Sequence, residues 1–139
     1  MRFNKRIFSL MCFLLFSYSC VWFNKSKYEI DKLYYDNGTI EAIVSKKNGM
    51  LNGVSYYYDI DSNLISSANY MNDLLHGQWI EYFKNGNVKH HVFYNYGLKH
   101  DSEIWYYENG QIKSETVYDN GEVISETLRW DYDGNIIIK

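Results

Sequence analysis

One spacing governs this chain. Stepping by 24 residues from Gly38 reaches Ser62, Gly86, Gly110 and Gly134. The same step from Tyr34 reaches Tyr58, Tyr82, Tyr106 and Trp130, and from Ile40 it reaches Leu64, Val88, Ile112 and Ile136. Registers held over five copies without an insertion mark an internal repeat. Such a unit buries its apolar surface only by stacking on its neighbours. The stretch from His76 to Asp101 is the clearest copy.

Within it, Tyr82 and Val88 sit six apart around Lys84-Asn85-Gly86. An Asn-Gly between apolar runs signals a hairpin. If Tyr82 faces Val88, the loop holds three residues and Gly86 takes the left-handed position, which glycine adopts without a Cβ clash. Gly38, Gly110 and Gly134 are its equivalents. Ser62 stands in that place in the second copy, so that turn is expected to be the most strained or differently shaped. Gly49, Asp73, Gly97 and Gly121 mark a second turn with the same period. Each unit therefore reads as strand, tight turn, strand, second turn.

No helical period appears in the repeats. Ile80 and Tyr82, then Val88, Val92 and Tyr94, then Ile104 and Tyr106, then Ile112 and Tyr118 alternate as strands do. These even-numbered positions are expected to form one continuous apolar face. The sequence predicts an all-β fold, an elongated and twisted antiparallel meander of stacked hairpins, preceded by a signal-peptide helix.

The pattern resembles the MORN-repeat variant of bacterial proteins of the YwqK antitoxin-like type. The matching residues are Gly77, Trp79, Tyr82, Asn85, Gly86, Tyr94 and Gly97, then Trp105, Tyr106, Asn109, Gly110, Tyr118 and Gly121. The resemblance runs from about Leu33 to Lys139. Asp101 and Ser125 replace the glycine seen at Gly53 and Gly77. It implies a scaffold, binding or antitoxin module and names no ligand.

The N-terminus reads differently. Met1 to Arg6 is basic, Ile7 to Phe16 is a short apolar run, and Ser17-Tyr18-Ser19-Cys20 closes it. That is a secretory signal. Small Ser19 before Cys20 resembles a bacterial lipoprotein processing site, with Cys20 lipidated as the first mature residue. An uncleaved anchor helix over Ile7 to Phe23, just long enough to span, and simple secretion are the alternatives. Cys12 would leave with the signal, so no internal disulfide forms in the mature chain. The chain divides into a lipoprotein-type signal peptide (1–19), a tether (20–30) and the repeat domain (31–139), with strands starting near Glu29. The expected location is the bacterial cell envelope, membrane-anchored through Cys20. Without its signal the chain keeps 11 basic residues, 14 less Arg2, Lys5 and Arg6, against 17 acidic ones, a net of −6. Such a surface repels phosphate backbones and anionic lipid, so no nucleic-acid partner is expected.

No catalytic or cofactor motif is legible, and no enzyme activity or cofactor is expected. His76 and His100 share a repeat position, about 9–10 Å apart across two strands, too far for one zinc. His90 and His91 point to opposite faces, and all four histidines read as turn or surface residues. Asp59 to Asn63 and Asp131 to Asn135 look like the start of a calcium loop but lack the glycine at position six and the glutamate at position twelve. They stand at the turn register, where Asp and Asn suit turn geometry.

The odd-numbered face carries Tyr57, Trp79, Glu81, Phe83, Trp105 and Tyr107 with Lys89 and Glu103, and its tyrosines and tryptophans are side chains common in binding hot spots. Covering the second face of a thin sheet would explain them equally. The C-terminal edge, Asn135 to Ile138 with Trp105 and Trp130 read as its flanks, has no proline, and Ile137 is its candidate docking residue. The expected function is a non-enzymatic envelope module that binds another protein, with an antitoxin- or immunity-like role implied by the resemblance. A membrane-lipid or glycan-contacting module is the alternative.

Overall fold

The computed structural model describes residues 27–137. The signal segment, Cys20 and the tether as far as residue 26 lie outside them, as do Ile138 and Lys139. The described residues form one antiparallel sheet of β1 (Tyr28–Tyr34), β2 (Ile40–Lys47), β3 (Met50–Leu51), β4 (Gly53–Tyr58), β5 (Leu64–Met71), β6 (Leu74–Tyr82), β7 (Val88–Asn95), β8 (Leu98–Tyr106), β9 (Ile112–Asp119), β10 (Glu122–Val123) and β11 (Leu128–Arg129). Strands lie in chain order, with β3 paired to β2 and both β10 and β11 paired to β9. No helix occurs among the described residues. β1 starts at Tyr28, so the last tether residues, Tyr28 to Ile30, are strand.

The tight turns close as the spacing requires. Phe83 N–H donates to Asn87 O at 2.8 Å and Gly86 N–H to Phe83 O at 2.9 Å. Tyr82 pairs with Val88, and Gly86 sits at φ 86°. The same two bonds close all five turns. Ser62 keeps them at φ 67°, so the second turn has the common shape and carries the strain of a left-handed serine. Asp59 supports it: one carboxylate oxygen accepts from the N–H groups of Asp61 (3.0 Å) and Asn63 (2.8 Å). Asp131 serves Asp133 and Asn135 identically. These bonds hold both carboxyls below their ordinary value, the Asn63 and Asn135 side-chain amides contributing most. The calcium-like runs are turn closures.

The second turns have two residues, both at positive φ, as a type I′ hairpin demands: Asn48-Gly49, Asn72-Asp73, Tyr96-Gly97 and Asn120-Gly121. Successive hairpins are stitched there, with Asp73 N–H donating to Leu51 O (3.0 Å), Gly97 to Leu75 (2.8 Å) and Gly121 to Lys99 (2.8 Å).

One expectation fails, and its failure shapes the molecule. Every returning strand bulges one step after its turn. Tyr82 pairs with Val88, but Glu81 pairs with His90, leaving Lys89 unopposed. Glu41, Ile65 and Lys113 are bulged in the same way. A one-residue slip sends later side chains to the other face. The even-numbered positions therefore do not share a face. Ile80, Tyr82 and Val88 lie on one side, whereas Val92, Tyr94 and Tyr118 join odd-numbered Trp79, Glu103 and Trp105 on the other.

Candidate functional site

That mixed face carries two rows of directly opposed residues. One runs Ala42, Tyr57, Ser66, Glu81, His90, Trp105, Ser114, Arg129 from β2 to β11. The other runs Ser55, Ala68, Trp79, Val92, Glu103, Thr116 from β4 to β9. Large rings alternate with small side chains: Tyr57 stands between Ala42 and Ser66, Trp79 between Ala68 and Val92. Opposed residues sit about 5 Å apart, so a small neighbour leaves room for a ring to lean over it.

A tyrosine repeating every 24 residues completes the cover. Tyr70 reaches back to Tyr57, hydroxyl to hydroxyl at 3.1 Å. Tyr94 meets the Trp79 ring at 5.9 Å, and the Tyr118 hydroxyl donates to Glu103 Oε2 at 2.9 Å. Beneath these arches Ser55 and Val92 are both 0% exposed in a single-layer sheet. Burial pushes the Tyr70 and Tyr94 hydroxyls above their ordinary value.

Between the Tyr57–Tyr70 arch and Trp79 lies an open slot of about 360 Å³, floored by Ser66 and Ala68 and ended by Leu75. Two strands along, Trp105 lies flat on the imidazole of His90, centroids 3.8 Å apart and planes at 14°. Its inner face is occupied, yet the residue stays 37% exposed, so its outer face meets solvent.

Under this platform is a buried polar knot. Glu103, 8% exposed, accepts from His90 Nε2 (2.9 Å), Lys99 Nζ (2.6 Å) and the Tyr118 hydroxyl. Burial would push its carboxyl up, but donation from Lys99, Tyr118 and His90 outweighs that and holds it below its ordinary value. Burial likewise works against the Lys99 ammonium, and its bond to Glu103 leaves it raised. A carboxylate only accepts, so His90 Nε2 carries a proton; His90 Nδ1 is buried without a partner.

The structure brings Tyr57, Trp79 and Trp105 onto one face and separates the other candidates. Phe83 opens the third tight turn. Tyr107, its equivalent, is committed to packing between units: its hydroxyl donates to Trp130 O at 3.0 Å and its ring meets Tyr132 at 5.2 Å. At the C-terminal edge Ile136 pairs with Trp130, and Ile137 N–H donates to Arg129 O at 2.7 Å. Trp105 does not flank that edge, since β9 and β11 lie between. His91 does face away from His90. His90, expected at the surface, is 5% exposed and central to the site. Sequence reasoning missed Tyr70, for which the 24-residue step through Tyr70, Tyr94 and Tyr118 was the available signal; Glu103 lies on the face expected for it, but buried. Among the described residues, no three His, Cys, Asp or Glu side chains gather as a metal set.

Residues 75–96 and 102–120 match the family model of the MORN repeat variant. The matched segments contain Trp79, His90, Glu103, Trp105 and Tyr118. No match to a curated protein was found.

Proposed function

We propose that this repeat sheet is a protein-docking scaffold of the cell envelope, held at the membrane by lipidation of Cys20. MORN-variant repeats fit a scaffold role, and the family is typically non-catalytic. The observation that carries the reading is the slot beside Trp79 with the Trp105 platform on the same face: large rings, held rigid by small neighbours, contact a partner at low entropic cost. Antitoxin- or immunity-like action is the finer reading, drawn from the resemblance; with export, the partner would be a toxin acting outside the cytoplasm.

Photo-crosslinking in the full chain separates the two faces. Benzoylphenylalanine in place of Trp79 should give a discrete protein adduct, whereas the same group at Ile80, on the opposite side, should give none. Equal adducts at both positions, or none at either, contradict the reading. Labelling with a fatty-acid analogue should disappear in Cys20→Ala.

A further inference from the structure

The aromatic face carries its own complement. We infer that it receives the same face of a second copy of this chain, around a two-fold axis that runs parallel to the strands between β6 and β7. This rests on the docking reading and names the partner of that face.

The row of opposed residues from Ala42 to Arg129 crosses eight strands, and its midpoint falls between Glu81 on β6 and His90 on β7. A two-fold axis there sets each residue against the one equally far beyond the midpoint, and every contact is made twice. Trp105 then meets Ser66, and Tyr57 meets Ser114, so a ring faces a small side chain both times. Ser66 floors the slot of about 360 Å³ between the Tyr57–Tyr70 arch and Trp79. The outer face of Trp105, left in solvent in one copy, enters the slot of the other. An aromatic anchor seated in a pocket concentrates the binding energy of an interface. Two twisted sheets pack face to face in this aligned way.

Charge obeys the same axis. Glu81 and Lys89, ion-paired at 3.4 Å, flank the midpoint on β6 and β7. The rotation lays each Glu81 against the second copy's Lys89, so the charges around the axis alternate in sign. At the ends of the row Arg129 comes over Ala42 and beside Glu41, an exposed bulged residue that holds the repeat position of Lys89. An axis along β6 would instead set Glu81 against Glu81, which like charges oppose. The strands from β2 to β11 span roughly 34 Å at about 4.8 Å apiece, and β6 from Glu81 to Gly77 runs roughly 13 Å at about 3.3 Å per residue. Two copies thus cover roughly 900 Å² before the relief of the rings is added, which brings the contact to the roughly 1,000 Å² that a specific interface needs.

Sedimentation and photo-crosslinking of the full chain in detergent test this. The chain should sediment as a dimer at micromolar concentration. Benzoylphenylalanine in place of Trp105 should give an adduct of two chains, joined between Tyr57 and Trp79 of the second copy. Glu81→Lys and Lys89→Glu, both at partly exposed positions, surround the axis with like charges and should each weaken the dimer about tenfold or more. An equimolar mixture of the two variants restores opposite charges across the axis and should dimerise again, which a role confined to one copy would not produce. A chain that stays monomeric, a Trp105 adduct that maps outside the slot, or variants that stay monomeric when mixed overturn the inference. If the charge variants fail to fold, the Trp105 adduct decides. A Trp79 adduct with a different protein on a monomeric chain would sink this inference and leave the scaffold reading standing.

Discussion

Strand β6 and the segment from Glu122 to Trp130 occupy the same place in the repeat, yet one is a continuous nine-residue strand and the other is broken into β10 and β11. The difference sits at the bend. Gly77 takes φ 104°, letting β6 bulge past Asn69 and resume its pairing with β5 at Tyr70 and Leu75. Asp101 manages the equivalent bend of β8 at φ 60°. Ser125 does not enter positive φ: the strand lapses, and Val117 N–H is satisfied by the Ser125 hydroxyl at 2.9 Å instead of a carbonyl. The repeat tolerates many side chains at this point but few backbone conformations.

The largest expected effect breaks the well-formed member of that pair. A Cβ at residue 77 would lie 3.0 Å from Asn69 Nδ2 and 3.2 Å from Asn69 Cβ, in a backbone region closed to branched residues. Gly77→Val should cost about 3 kcal/mol or more in urea unfolding, whereas Ser125→Ala, which removes one hydrogen bond, should cost about 1 kcal/mol.

Next comes the single buried knot that joins β7, β8 and β9 and has no counterpart in the last unit. Glu103→Ala strips Lys99, Tyr118 and His90 of a shared acceptor and should cost about 2–3 kcal/mol. Because the folded carboxyl lies below its ordinary value of 4.5, the denatured chain binds the extra proton. The stabilisation is therefore complete above about pH 4.5 and is lost as pH falls through the lower folded value. Thermal melts from pH 7 to 3 should show that decline in the wild type and a flatter profile in Glu103→Gln.

Period, turns and all-β class were legible because a three-residue loop needs a left-handed residue at one fixed place and Gly38, Gly86, Gly110 and Gly134 supply it. The faces were not. A bulge such as Lys89 adds a residue without a turn residue to announce it, so alternation read straight through it places Val92 opposite to where it lies. The small residues Ala42, Ser66 and Ser114, all paired beside rings, were a trace of the true register. The His90–Glu103 contact was illegible because it joins neighbouring strands diagonally, and its residue types do not recur with the period.

Two smaller changes sharpen the comparison of turns. Ser125→Gly should join β10 to β11 and stabilise by up to about 1 kcal/mol, adding slowly exchanging amides between Glu122 and Leu128. Tyr96 holds φ 46° where the other second turns have Asn48, Asn72 and Asn120. Tyr96→Asn should relieve that strain by about 0.5–1 kcal/mol, less whatever the His76 ring contact at 4.5 Å contributes.

The central claim is that a one-residue bulge in each unit builds the aromatic face. Cross-strand nuclear Overhauser contacts in the isotope-labelled full chain read it directly. The paired residues should step from Tyr82 with Val88 to Glu81 with His90 and Trp79 with Val92. Contacts from Glu81 to Lys89 and from Trp79 to His91 would show an unbulged ladder, place Trp79 and Val92 on opposite sides, and contradict the account.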